Sequence, residues 1–486
     1  MARKIGLLFL ILVAGGAVDA AWIVRREVGF NLGASGCHVG SGRFRGPSYS
    51  FQSEERRVVA AGDTIELDNS HGDVNVTQGS AGEMRIVLRK VVYRSTEEEA
   101  RALAEQLHLK VDGSGRVRVT TNREELEGAR PDAGFETHLD LALPAGLSVV
   151  VRNEHGSVGV ADVAAARVDN SHSDVRVERV AGAAEVSVQH GDVSVSGVRG
   201  ALTLTARHGN VEAFDVEGPS TVDCQHGDVT MKRVHAVKLE AQHGSLHFED
   251  VRGDLEVHGQ HAEVDADRVE GAAAIETTLQ DVTVRHVTGQ ARLATQHGHI
   301  SASDVGGSLQ ATGSFDDVTL ARVAGPVEVT VTHGGVRARL LQKGGRITAS
   351  GGDVKVDGFG GPLEVQNERA DVELRPESAL REALIARTTF GEVRVQVPAG
   401  SQMKLDAASP GGELDIDVPG LSLTRGEGER ATGVLGGGGN EVHLFADHGR
   451  VRVSPALGKA DAGNDRDGDQ TGDDESDDDG NDSSET

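Results

Sequence analysis

Between residues 153 and 372 apolar and polar positions alternate in short runs that restart about every eighteen residues. The stretch 182–199 shows the unit. Ala184, Val186 and Val188 fall on one side of a period-two run, the turn Gln-His-Gly-Asp follows, Val193 and Val195 resume the alternation, and Val198 closes it. Period two is the signature of a strand with one buried face, so each unit is predicted to be two short strands and a corner with about six inward apolar side chains. The turns begin at His155, His172, His190, His208, His226, His243, His261, Leu279, His297, Phe315, His333, Gly351 and Arg369, spaced by 17 or 18 residues. A fixed period of this size signals a stacked repeat. The expected fold is all-β: a single-stranded parallel β-solenoid, or β-helix, with about 18 residues per rung. One rung buries too little to offset the ordering of its own backbone, so each needs its neighbours. Thirteen turns stacked at the inter-strand spacing predict a rod about 58 Å long. The inward positions are not spaced by six, and handedness stays open.

The flanking segments break the period. Residues 1–20, with Arg3 and Lys4 before an apolar run from Ile5 to Val18, have the layout of a secretory signal. The alternative is an uncleaved membrane anchor reaching Val24, which would carry Asp19 into the bilayer. Residues 21–57 read as a Gly/Ser/Arg-rich linker and 58–144 as a β-rich N-terminal cap. Within that cap Thr96 and Glu99 form a capping box before one helix over 97–108. The solenoid repeats are expected over 145–375, a C-terminal strand region over 376–455, and an acidic tail without apolar pattern over 456–486. Pro376 to Arg387 carries a helical spacing of Leu380, Leu384 and Ile385.

Composition narrows the function. Aromatic residues are 3% of the chain, too few to wall a deep pocket for sugar rings or bases, while 64 glycines suit a structure made of tight turns. The net charge is −27, of which the tail carries −10 through twelve acids and two bases, leaving −17 for the rest. Neither part offers the basic face that nucleic acid requires. The two cysteines, Cys37 and Cys224, do not suggest a disulfide scaffold. Cys37 reads as a linker thiol, and Cys224 takes the inward position of Val188 and should be a buried packing thiol.

Repeated His-Gly-Asp-Val-x-Val turns, a capped helix interrupting the first domain, Phe390-Gly-Glu-Val-Arg-Val-Gln-Val, the glycine run 436–439 before Asn440, and a last His448-Gly-Arg-Val-Arg-Val follow one another in order. Over about residues 58–455 the chain resembles a bacterial envelope family of unknown function whose members are regarded as candidate adhesins with β-strand repeats. The resemblance implies a β-solenoid in the cell envelope, with no assigned activity or catalytic residues. Histidine at the turn, where that family more often has Asn-Gly-Asp, is a departure.

The sharpest candidate chemistry is that histidine row. His155, His172, His190, His208, His226, His243 and His261 would line one edge at about 4.8 Å intervals if the rungs are in register. Neutral imidazoles so placed could bind zinc, copper or nickel, or respond to pH. The plainer reading is turn chemistry, since His, like Asn, tolerates unusual backbone beside Gly. The acids two residues after each His are interrupted (Ser157, Asp174, Asp192, Asn210, Asp228, Ser245, Glu263), which favours the plainer reading. The tail run Asp465, Asp467, Asp469 has Gln470 where a calcium loop needs Gly. Rungs of nearly constant length leave no long loops to build a catalytic cleft. We therefore expect a non-catalytic exported scaffold or adhesion module, without cofactor, meeting an envelope polymer or envelope protein and touching membrane only through an uncleaved N-terminus. A metal- or pH-responsive envelope protein is the alternative, and a polysaccharide-active β-helix enzyme the third reading.

Overall fold

The structure is a computed structural model that describes residues 47–129 and 134–456. The expected signal or anchor, the linker up to residue 46 with Cys37, and the acidic tail from 457 lie outside the described residues.

The chain forms a parallel β-solenoid of about 14 turns with ~18 residues per rung. Strands stack in register on the equivalent strand one coil away: Ala184, Val186 and Val188 lie on Leu202, Leu204 and Ala206, and Val193, Val195 and Val198 on Val211, Ala213 and Val216. All six inward residues of the 182–199 unit are at most 2% exposed, and they join one continuous core. Branched side chains dominate because they pack well against the same position above and below.

Three residues rather than two separate Val195 from Val198, because the residue before the closing Val is left-handed. That column runs Asp162, Arg179, Gly197, Asp215, Arg233, Asp250, Arg268, His286, Asp304, Arg322, Leu340 and Gly358, with φ between 51° and 75°. It is a bulge repeated on twelve successive coils that swings the closing apolar residue back into the core. Where the column alternates Asp and Arg, side chains pair between coils: Arg179 with Asp162 (2.7 Å), Arg233 with Asp215 (2.6 Å) and Arg322 with Asp304 (2.5 Å). The guanidinium hydrogen bonds hold those carboxyls below their usual range.

The ends differ from expectation. Residues 48–57 are not linker. Ser48–Val58 is a strand antiparallel to Glu83–Tyr93, which in turn runs antiparallel to Phe135–Leu143. Helix α1, Glu97–Gln106, covers this sheet with Ala100, Leu103 and Ala104 packed near Val92 and Phe135. Its N-cap Thr96 accepts from the Glu99 amide, as the capping box implies. Buried Lys90 donates to the carbonyls of Ala104 (2.8 Å) and Leu107 at the other end, where a cation suits the helix terminus. A second helix, α2 at Arg123–Ala129, was not expected.

The span 58–144 is not only a cap, because Thr64–His71 and Val74–Gln78 form a true coil. Ser148–His155 and Val158–Val163 lie on one side of that coil, Arg116–Thr121 and Phe135–Leu143 on the other. The helical spacing over 376–387 also fails: Leu384–Val397 is a strand in parallel register with Leu363–Asn367 and Val372–Arg375. The solenoid thus runs past 375, and the last strand, Asn440–Pro455, lies between Leu384–Val397 and the coil formed by Met403–Ala408 and Glu413–Ile416. Arg430–Leu435 and Ser422–Arg425 then pair antiparallel at that end.

Candidate functional site

His155, His172, His190, His208 and His226 each end the first strand of their coil, while His243 and His261 lie within the continuous strands Val237–Val251 and Leu255–Val269. A Gly with φ between 126° and 144° follows His155, His190, His208, His226 and His243. A Cβ on Gly191, Gly209 or Gly227 would sit 2.1–2.3 Å from the carbonyl oxygen of the coil before, so the backbones are in close approach and the turn cannot shift. Two residues past the ring, a side-chain oxygen accepts the backbone N–H of the next coil: Asp174 from Asp192 (3.0 Å), Asp192 from Asn210 (2.8 Å), Asn210 from Asp228 (3.0 Å) and Asp228 from Ser245 (2.8 Å). These acids are staples between coils, which explains why Asp and Asn interchange there. Beneath the first turns, inward Asn69 donates to Gly72 O (3.0 Å) and Asn153 Oδ1 (3.1 Å), and Asn153 donates to Gly156 O (2.9 Å).

The rings therefore stack. His155, His172, His190, His208, His226, His243 and His261 lie face to face with centroids 4.6–5.1 Å apart and planes within 8°. His71 extends the row at 4.5 Å from His155, so eight imidazoles form one unbroken ladder. Leu279 interrupts it. His297, Phe315 and His333 resume it at 4.2 and 4.9 Å, and Phe390 stacks on His448 at 5.2 Å. Leu279, Phe315 and Phe390 are 43%, 50% and 54% exposed. Phe315 stacks between His297 and His333 without a ring nitrogen, so stacking in this column does not depend on one. His172 Nδ1 lies 3.3 Å from Glu154 O, and in the tautomer that donates there Nε2 is the free acceptor.

Sequence reasoning gives residues 69–76 the same turn-plus-strand form but leaves His71 out of the row, because a long insertion separates it from the next ring, and it misses Glu154, because the residue before each ring varies. His71, Glu154 and His155 bring ligand atoms within 4.8 Å of one another. A groove of about 660 Å³ opens beside Glu154, lined also by Asp68, Lys110, Arg118, Arg123 and Arg152. Its cations are paired, Lys110 with Glu125, Arg118 and Arg152 with Asp68, and buried Arg123 with Glu127. On the far side of the turn, His138 lies 3.2 Å from Asp73 and 3.4 Å from Glu136. Burial opposes its charge, but the hydrogen bonds to both carboxylates outweigh that and raise its pKa to about 9. Cys224 is fully buried with Sγ 3.7 Å from Gly227 O, and burial, helped by Asp223 and Asp228, pushes its thiol up to about 11.

Fold and site together define a parallel β-solenoid with a ladder of stacked rings along one corner. No family model and no curated protein matches the sequence, so the adhesin-family resemblance rests on motif order. A solved structure described as a "putative cell adhesion protein" from Clostridium sporogenes aligns with 84% of this chain and 100% of its own, at 6% identity and a TM-score of 0.18. A likeness that slight says nothing of this chain's fold or function.

Proposed function

We propose that the protein is an exported, non-catalytic β-solenoid of the cell envelope, acting as a rigid scaffold or adhesion module that binds an envelope polymer or envelope protein along its length. One observation carries the reading: the ladder column presents exposed ring edges and apolar side chains at one-coil intervals through most of the rod. A surface periodic at about 4.8 Å suits a partner that is itself extended or repetitive. From His155 to His333 the coils of 17 or 18 residues are joined by short turns.

Co-sedimentation with intact cells and with isolated cell-wall polymer tests the reading, with and without a chelator. Saturable binding is expected, weakened when Phe315→Ser and Phe390→Ser are combined. Absence of binding to either, or turnover of the polymer lost on a single substitution, would overturn it. The eight stacked imidazoles favour a second reading, a rod that loosens when its ladder is protonated.

A further inference from the structure

We propose that His71, Glu154 and His155 bind a divalent transition-metal ion of the zinc class at the N-terminal end of the ladder. The inference is independent of what the long faces of the rod bind. One nitrogen from each ring and one carboxylate oxygen fall within 4.8 Å of one another. Two imidazoles and a carboxylate form a donor set suited to zinc, cobalt or nickel and poorly suited to calcium or magnesium, which take oxygen. Three protein ligands leave a fourth tetrahedral position for water.

Two features separate this place from the rest of the ladder. The residue before the ring is Glu154 here, whereas at the next six rings it is Ser171, Gln189, Arg207, Gln225, Gln242 and Gln260. Among the eight stacked imidazoles of the unbroken ladder, only His155 therefore follows a carboxylate directly. His71 and His155 are also half-buried, while His172 to His261 are exposed. The Nδ1 of His155 is closed off from solvent and has no hydrogen-bond partner, a cost in either tautomer that coordination would remove.

The geometry must adjust. The two rings lie within 11° of parallel, so their in-plane lone pairs do not yet converge. Tetrahedral zinc with bonds of about 2.0–2.1 Å brings its donors to about 3.3 Å of each other, so the rings must turn toward one another. Torsions about the bond from Cβ to the ring are soft enough to allow this. Arg123 also acts electrostatically on Glu154, so the ion and the guanidinium share that carboxylate.

Titration calorimetry of tag-free protein with zinc chloride, with calcium chloride as control, tests the proposal, and cobalt absorption reports tetrahedral coordination. The expected result is one zinc per chain and no heat with calcium. Glu154→Gln should weaken that binding by about tenfold or more, since even outer-shell partners of metal ligands are worth that much, and His190→Asn should leave it unchanged. Glu154 is exposed, so its variant should keep the metal-free melting temperature and circular dichroism spectrum of the parent. No zinc binding, or several equivalent ions with affinity unchanged by Glu154→Gln, would overturn the site.

Discussion

The corner that follows His208 leaves no room for a Cβ. At Gly209, with φ +139°, it would sit 2.1 Å from the carbonyl of Gly191. Gly209→Ala is expected to cost about 1–3 kcal/mol through backbone strain and a shifted coil, read as a lower thermal midpoint by circular dichroism; an unchanged midpoint would contradict the close packing. The same column also holds Ser173, with φ 90°, and Ala262, within the continuous strand Leu255–Val269. Recurrent glycine was legible in the sequence, but the carbonyl that requires it belongs to the neighbouring coil and was not. Nor was His138 legible, because Asp73 is 65 positions away from it. Its pKa, raised to about 9, means that its charged form stabilises the fold fully below the unfolded value of about 6.5, and that the contribution fades as pH rises through 9. Asp73 and Glu136, with pKa lowered chiefly by hydrogen bonds to His138, contribute above the ordinary carboxyl range and lose that contribution in acid. Arg89 opposes the imidazolium. Thermal midpoints should therefore fall between pH 7 and 9.5 in the parent and stay flatter in His138→Gln; parallel curves would remove the charge from the account.

At the scale of elements the ladder behaves as one object. Seven of its rings were legible because the period is nearly constant, and their stacking follows from the register of His172 on His155 and of His190 on His172. Helix α1 was legible through Thr96 and its apolar spacing. The helical spacing around Leu384 misled because Leu384 and Ala386 find strand partners in Leu363 and Val365, and tertiary pairing overrode local pattern.

For the whole molecule, the order of coils in the stack is not the order of strands in the chain, and no local pattern reports that. Alternation places Val442, Leu444 and Ala446 on a buried face, yet it does not say that they lie between Leu384, Ala386 and Thr388 on one side and Leu405 and Ala407 on the other. The consequence is a lock. Asn440–Pro455 supplies the penultimate level of the stack, so the end coil rests on the last described strand of the chain. At the opposite end Arg116–Thr121 and Phe135–Leu143 likewise sit outside a coil that precedes them in sequence. A solenoid end is an open strand edge, and an exposed edge recruits further strands. Here both ends are closed by segments that must fold back. Truncation after Gly439 would strip the partner from Leu384–Val397 over its whole length and leave that edge bare. The shortened protein is expected to keep its repeat coils, seen as retained β signal in circular dichroism, while forming soluble oligomers or aggregates by light scattering. A monomeric, fully stable truncation would mean that Met403–Ile416 docks onto Leu384–Val397 directly, and that the intercalated strand adds length to the rod rather than closing it.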